Sequence, residues 1–422
     1  MTANYIVPPI FLKKEGKIIL GLERLEKILV YFGNPQKRFL SITIAGTVGK
    51  GQITTQIAFE LSRFLKVGLY TSPHLERFSE RIKIVSDMKE EEISGEDLYD
   101  FSYLVSEAEE KLGVELTYFE HATAVAFLYF AEKKVDFACL EIGLGGRLDA
   151  VSLARSPIAV ISRIDFDHEE LLGNTLFSIA LEKALCVPPE STRITIHKEG
   201  EEQFSAISSV SKGEIINDFS YSLDNIEKHH FYEKFSIRIS ERKYGEVFTD
   251  FFGIRPFVEN AVLSSFASFF VLKNFFGKEK RDFSYDIRRV KGRFEVFQNI
   301  IYDGGHNPIS AKCLFLSLPD DKFNFLVSFK KDKKWKRFLD ILSPKIKNLY
   351  ITRYPDEGWE EEDKIYHFAK SKGINAYKIP YEEIVDFATA LSEKEPLVIT
   401  GTFYLYPAFA TIKKNMMKEK KP

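Results

Sequence analysis

Ser41-Ile42-Thr43-Ile44-Ala45-Gly46-Thr47-Val48-Gly49-Lys50-Gly51-Gln52 opens a stretch that continues through a helical run to Val67-Gly68-Leu69-Tyr70-Thr71-Ser72-Pro73. The β-branched run ending at Ala45 reads as a strand. A glycine-spaced turn carrying Lys50 follows, and Ile53, Ile57, Leu61 and Leu65 then repeat at helical spacing. Strand, glycine turn and helix in that order make a phosphate cradle. Backbone N–H groups, the positive end of the helix dipole and a lysine all face one anion. The usual phosphate-loop pattern has Ser or Thr straight after the lysine, whereas here Gly51 and Gln52 follow. The plain alternative is a tight connection between a strand and a helix.

The chain has 422 residues, room for two or three domains with full cores. Hydrophobic residues at 45% and charged residues at 28% are those of an ordinary soluble protein. A net charge of −2 gives no global field favouring nucleic acid or an anionic membrane. Cys139, Cys186 and Cys313 stand far apart, which fits a reducing cytoplasm and argues against a disulfide frame or a zinc site. No signal-like segment is evident, and no apolar run approaches the ~20 residues of a membrane span. The expectation is a cytoplasmic globular protein.

Periodic segments predict helices at 22–32, 98–112, 120–132 and 176–184, and strands at 67–70, 137–140 and 158–162. The alternation predicts a doubly wound, mostly parallel sheet, whose ligands sit beyond the carboxyl ends of the strands. Four strand ends deliver chemically capable groups: Lys50, Ser72, Glu141 and His168. Residues 77–97 read as a charged segment and 191–252 as an antiparallel hairpin region. An apolar helix follows over 260–276, and the polar stretch 277–291 reads as the interdomain linker. A second, smaller α/β unit of Rossmann-like alternation follows. Its strands are expected at 296–302, 323–329, 349–352 and 397–400, the first ending in Asp303-Gly304-Gly305-His306-Asn307-Pro308. The domains are therefore drawn at 1–288 and 289–422, and the basic tail 413–421 reads as a frayed terminus.

These pieces, in this order, resemble the folylpolyglutamate synthase and dihydrofolate synthase family of the wider Mur ligase group. The resemblance rests on Ala45 to Gly51, Tyr70 to Leu75, Leu140-Glu141-Ile142-Gly143-Leu144-Gly145-Gly146-Arg147-Leu148-Asp149-Ala150, Asp167-His168, Leu172 to Thr175, Glu182-Lys183-Ala184, Gly292 to Glu295, Asp303 to Pro308 and Gly401 to Tyr404. It implies an ATP-dependent ligase that phosphorylates a folate or dihydropteroate carboxylate, and an acyl phosphate then attacked by the amine of L-glutamate. By matching positions, Gly46, Thr47, Gly49, Lys50, Gly51 and Gln52 hold the phosphates, and Asn260, Arg293, Asp303 and His306 make further nucleotide contacts. Ser72, Glu141 and His168 are the implied ligands of Mg²⁺, with two sites. Lys183 matches a lysine that CO₂ carbamylates, so that it supports the second metal. Asp149 and His306 are implied in substrate binding, Lys50, Glu141, His168 and Lys183 in catalysis. The resemblance also implies a monomer, and the charge balance predicts no nucleic-acid or membrane partner.

Each residue also has a plainer reading. Glu141 caps a strand end, His168 sits in a solvated loop, Lys183 is a surface lysine, Asp303 and His306 close a turn, and Ser72 starts one. The chain departs from the family at Val48, where Asn is usual, and at Gln52, where a serine hydroxyl faces the metal. An amide oxygen on Gln52 would be the replacement ligand. Val151-Ser152 replaces Thr-Asn, Leu185 a glycine, and Thr402 a serine, while Arg255-Pro256-Phe257 lacks a His-Gln pair. Two function classes follow: an active ligase, or a degenerate member that binds nucleotide or a pterin without efficient turnover. A peptidoglycan-type ligase is a third, weaker reading.

Overall fold

β1 (Leu40–Ala45) is buried beyond its first residue and lies inside an eight-stranded sheet. The computed structural model describes residues 7–13, 19, 21–229 and 231–419. The other strands of this sheet are β2 (Val67–Tyr70), β3 (Ile82–Ser86), β4 (Lys89–Glu92), β5 (Phe137–Glu141), β6 (Ile158–Ile161), β7 (Thr192–Thr195) and β8 (Ile215–Ile216), in the order β4-β3-β2-β5-β1-β6-β7-β8. From β2 to β8 every pairing is parallel; β3 and β4 add an antiparallel edge. Covered on both faces by helices, the central strands read as continuous apolar runs. The register pairs Ile44 of β1 with Glu141 of β5 and with Val160 of β6, so the carboxyl ends of three strands come out together around the glycine turn. This edge hairpin lies in the stretch read as a merely charged segment. The charged run Lys89 to Glu92 of β4 suits an exposed edge strand and hid the strand signal.

β9 (Phe219–His229), β10 (Tyr232–Glu241), β11 (Gly245–Gly253) and β12 (Asp282–Asp286) form a four-stranded sheet in the order β12-β11-β10-β9. β12 falls within 277–291, so that stretch is not a linker throughout. Phe283 and Tyr285 are buried and Phe251 stacks on Tyr285; two aromatics alternating with polar residues are a strand signal that the flanking charges masked.

The third sheet comprises β13 (Glu295–Phe297), β14 (Ile300–Asp303), β15 (Phe323–Val327), β16 (Ile346–Ile351), β17 (Ala376–Lys378) and β18 (Leu397–Thr400), ordered β13-β14-β18-β15-β16-β17. Apart from the β13–β14 pair it is parallel. The single strand expected over 296–302 is thus an antiparallel hairpin, turned at Gln298 with φ +51°. The chain divides into two compact units: 1–225 with 235–251 and 258–285, and 226–234 with 252–257 and 286–422. The basic tail is helical rather than frayed over Tyr406–Glu419, and Lys413 pairs with Glu295 at 2.5 Å; 420–421 lie outside the described residues. None of Cys139, Cys186 and Cys313 is joined in a disulfide among the described residues. Among the described residues no helix is long and apolar enough to cross a membrane.

One buried cation holds the segment after the Leu176–Ala184 helix. Arg193 of β7 is 0% exposed, and its guanidinium donates to the carbonyls of Ala184, Val187, Pro188, Pro189 and Ser191 at 3.0–3.3 Å. The last carbonyls of a helix have no partner inside it, and Pro188 and Pro189 bring oxygens without N–H groups. A planar fork of five donors fits this demand where an ammonium would not. Arg193→Met is expected to strand these oxygens and lower stability by about 3 kcal/mol or more, read as a fall in the urea midpoint at unchanged slope.

Candidate active site

The glycine turn is shaped by three constraints. Gly46 has φ +144°, and a Cβ there would lie 1.9 Å from Ser162 Oγ; Gly49 has φ +87°, and a Cβ there would lie 2.5 Å from Asn260 Oδ1. Only glycine meets both demands. The third constraint is the segment leaving β6. Ser162 Oγ donates to the Val48 carbonyl at 2.7 Å, Thr47 N–H donates to Arg163 O at 2.9 Å, and Thr47 Oγ1 exchanges hydrogen bonds with the backbone of Asp165 at 3.0 and 3.1 Å. Arg163 in turn is ion-paired with Glu259. Sequence reasoning passed over Ser162 and Arg163, which belong to no motif; the signal was their place at the end of a strand beside β1.

The helix Lys50–Leu61 starts at once after this turn, with Gly49 as its N-cap and no side-chain cap. The N–H groups of its first turn have no partner inside the helix, and the dipole adds positive potential. Two ammonium groups meet here: Lys50 Nζ and Lys183 Nζ both donate to the Gly46 carbonyl, at 3.1 and 3.0 Å. Lys183 is 4% exposed, not the surface lysine of the plainer reading. Gly146 makes this approach possible, because a Cβ there would stand 2.5 Å from Glu182 O and 3.0 Å from Lys183 Cα. Burial first, then the Lys50 charge, pushes the Lys183 amine down to about 7, so a neutral, nucleophilic amine is accessible near neutrality.

Glu141, at the end of β5, is 5% exposed and accepts from Ser72 N–H at 2.9 Å. A Cβ on Gly51 would lie 3.4 Å from its Oε2, in ordinary van der Waals contact, so the carboxylate stands against the helix start. Asp149 is buried, accepting from the N–H groups of Leu144 and Val151 at 2.9 and 3.0 Å, and burial pushes its carboxyl up to about 6. His168, at φ +49°, caps the Glu169–Leu172 turn and lies 3.8 Å from both Asp167 and Glu170. Gln52 is 4% exposed, and its Oε1 accepts from Asn260 Nδ2 at 2.7 Å. The amide oxygen considered as a metal ligand is thus engaged by a side chain. Among the described residues no three of His, Cys, Asp or Glu form a metal cage. Mg²⁺ is characteristically held by one or two carboxylates together with phosphate oxygens and water, and the buried Glu141 oxygens at the helix start suit that demand.

In the second unit, Asp303 ends β14. Its carboxylate accepts from Phe294 N–H at 3.0 Å and Gly305 N–H at 2.9 Å, and burial raises its pKa against the lowering effect of Arg293. His306 Nδ1 lies 3.1 Å from Gly304 O and its ring meets Phe403 edge-on; the Arg293 guanidinium lies 4.4 Å over the same Phe403 ring. Asn307 caps the Pro308–Ser317 helix. Arg293, Asp303 and His306 therefore form one cluster, gathered by Phe403 and the β14 turn.

No family model matches the chain. Among curated proteins, the dihydrofolate synthetase of Saccharomyces cerevisiae is 26% identical over 433 residues, covering 92% of this chain and 96% of that protein. A probable dihydrofolate synthetase of Schizosaccharomyces pombe is 41% identical over 170 residues, a match spanning 40% of each chain. Among solved structures, Mycobacterium tuberculosis folylpolyglutamate synthase complexed with ADP has a TM-score of 0.79 at 23% identity, over 96% of both chains, and shows that the fold is shared. A glycine turn on a doubly wound sheet, followed by a smaller parallel α/β unit, is the fold shared with that structure. Over nearly its whole length the chain is thus similar to dihydrofolate synthases and folylpolyglutamate synthases.

The buried amine has a measurable signature. With a pKa of 10.5 unfolded and about 7 folded, Lys183 binds fewer protons in the native state between those values. Its burial therefore costs stability that grows as pH falls from 10.5 to 7 and is constant below. Lys183→Met is expected to raise the melting temperature, by more at about pH 6.5 than at about pH 9.5. Equal increments at both would show that the amine is not so perturbed.

Proposed function

We propose that the protein joins L-glutamate to the carboxylate of dihydropteroate or of a folate, at the expense of ATP. The observation that carries this reading is the convergence of Lys50, Lys183 and the helix start on one glycine turn, with the Glu141 carboxylate against it. The loop N–H groups and the Lys50 ammonium hold the phosphates of ATP and keep the γ-phosphoryl in line with the incoming carboxylate. The carboxylate takes the phosphoryl, giving an acyl phosphate and ADP. The glutamate amine then attacks the acyl carbon, loses a proton, and the C–O bond to phosphate breaks as the amide forms. Glu141, supported by Ser72 N–H, and His168 are the groups that would hold Mg²⁺, which neutralises phosphate charge when bound.

Lys183 is suited to carbamylation: its neutral amine adds to CO₂ with loss of one proton, exchanging a cation for an anion beside the loop. A second metal would then have a further oxygen ligand. Asp149 lies on the loop that follows Glu141 and would contact the pterin-bearing substrate. Asp303, Arg293 and His306 would contact the nucleotide, with His306 also facing substrate. In this reading the protein is a cytoplasmic monomer acting on small molecules. An Escherichia coli protein of this fold has been solved in complex with DHPP and ADP, which supports the substrate class.

One observation favours a second reading, nucleotide binding without efficient turnover. Gln52 Oε1 is already taken by Asn260, so the loop lacks the free hydroxyl that matching family positions supply. Purified protein given Mg-ATP, L-glutamate and either dihydropteroate or a reduced folate separates the two. Glutamate-dependent ADP release with amide product is expected, and Lys50→Ala should lower kcat/KM by roughly 100-fold or more. ADP binding with no glutamate-dependent turnover on either acceptor would establish the second reading instead.

A further inference from the structure

β6 and β7 leave the sheet side by side, with Ile161 paired to Thr195. After β6, Ser162 Oγ, the Arg163 carbonyl and the backbone of Asp165 all engage the glycine turn at Thr47 and Val48. Ile164, between them, turns its peptide groups the other way. Its N–H donates to His197 Nε2 at 3.2 Å, and its carbonyl accepts from Gln203 Nε2 at 3.5 Å. One wall of the glycine turn is therefore held from behind by residues just past β7.

His197 is 4% exposed, and its other ring nitrogen, Nδ1, lies 2.9 Å from Glu201 Oε2. A backbone N–H can only donate, so Nε2 is the unprotonated nitrogen and the ring proton sits on Nδ1, facing the Glu201 carboxylate. The main chain of His197 is tied as well. Its N–H donates to Thr195 Oγ1 at 3.3 Å, and its carbonyl accepts from Asn217 Nδ2 at 3.0 Å. The imidazole is thus a fixed acceptor aimed at one peptide.

The Ile164 side chain is buried in an apolar cluster with Leu172, Ile179, Ala180 and Ala184. Apolar burial is non-directional, so it fixes where Ile164 sits without fixing how its peptide is turned. A hydrogen bond does have direction. The rotation of this peptide sets where the Arg163 carbonyl and the Asp165 N–H meet Thr47, and the acceptor on His197 selects that rotation.

We propose that His197 is a positioning residue for the nucleotide site, acting through the Ile164 peptide on Thr47 and the glycine turn. It touches no phosphate itself. Without its acceptor the wall can rotate, and the turn loses the register on which phosphate binding depends. This inference rests on the reading of the turn as an ATP site.

Calorimetric titration of ADP with Mg²⁺ into the full chain tests it, because binding is read whether or not the protein turns over. His197→Asn keeps a group facing Glu201 but has none at the place of Nε2, and it should bind ADP about tenfold more weakly. In His197→Gln the amide oxygen reaches the place of Nε2, and affinity should return to within about threefold of wild type. Where turnover is measured, kcat/KM for ATP should follow the same order while KM for L-glutamate stays within about twofold. Should His197→Asn lose its fold by circular dichroism, Glu201→Ala serves, since that carboxylate is 46% exposed. Freeing the ring should then weaken ADP binding about threefold, and an affinity equal to wild type would count against the proposal. An Asn variant that binds as wild type does, or Asn and Gln variants weakened alike, would show that His197 only fills space. Absence of ADP binding by the wild-type protein would overturn the ATP reading and this inference with it.

Discussion

A single carbonyl oxygen, that of Gly46, accepts hydrogen bonds from two lysines 133 positions apart in the chain, Lys50 and Lys183. Two ammonium groups on one oxygen repel, and one of them is buried, so the arrangement exists only because the fold enforces it. The Lys50 charge adds to burial in depressing the Lys183 pKa. An anion placed at the helix start relieves both penalties at once, by supplying counter-charge to the lysines and acceptors to the unpaired N–H groups. The loop is in this sense suited to an anion.

Everything around the Gly46 carbonyl serves to keep it there. β1 delivers the turn from the middle of a parallel sheet, and its neighbours β5 and β6 deliver Glu141 and Ser162 on either side. Ser162 leaves no room for a side chain at 46, Asn260 none at 49, and the Lys183 helix none at 146. Arg193 closes the far end of that helix by drawing its last carbonyl and the next turn onto one guanidinium. Backbone approaches of this closeness are rigid because each is limited by hard contact, and a site that stabilises developing charge needs such rigidity.

The sequence made the local devices legible and the long-range ones obscure. The strand–glycine–lysine–helix order, the helices at 98–112 and 176–184, and the polar turn at Asp303 are short-range patterns, and each is found near its expected place. The role of Ser162 is invisible without the β1–β6 pairing, and that of Arg193 without the path of 184–191 back past β7. The β3–β4 edge and β12 were hidden for a related reason, since exposed strands carry charge on one side and lose the apolar alternation that marks buried ones. Lys183 was the sharpest case. A lysine in a helix reads as solvated, and only the resemblance to a family singled it out before its burial was seen.

The two departures in the phosphate loop are unequal in weight. Val48 contributes its backbone: its carbonyl accepts from Ser162 and its side chain is partly exposed. Its φ is not among the positive values that Gly46 and Gly49 require, so a β-branched residue costs the turn nothing there. Gln52 differs because its side chain is buried within the first helical turn, where a longer arm must be accommodated. Asn260 performs that accommodation, accepting the loop's close approach at Gly49 and binding the amide oxygen of Gln52.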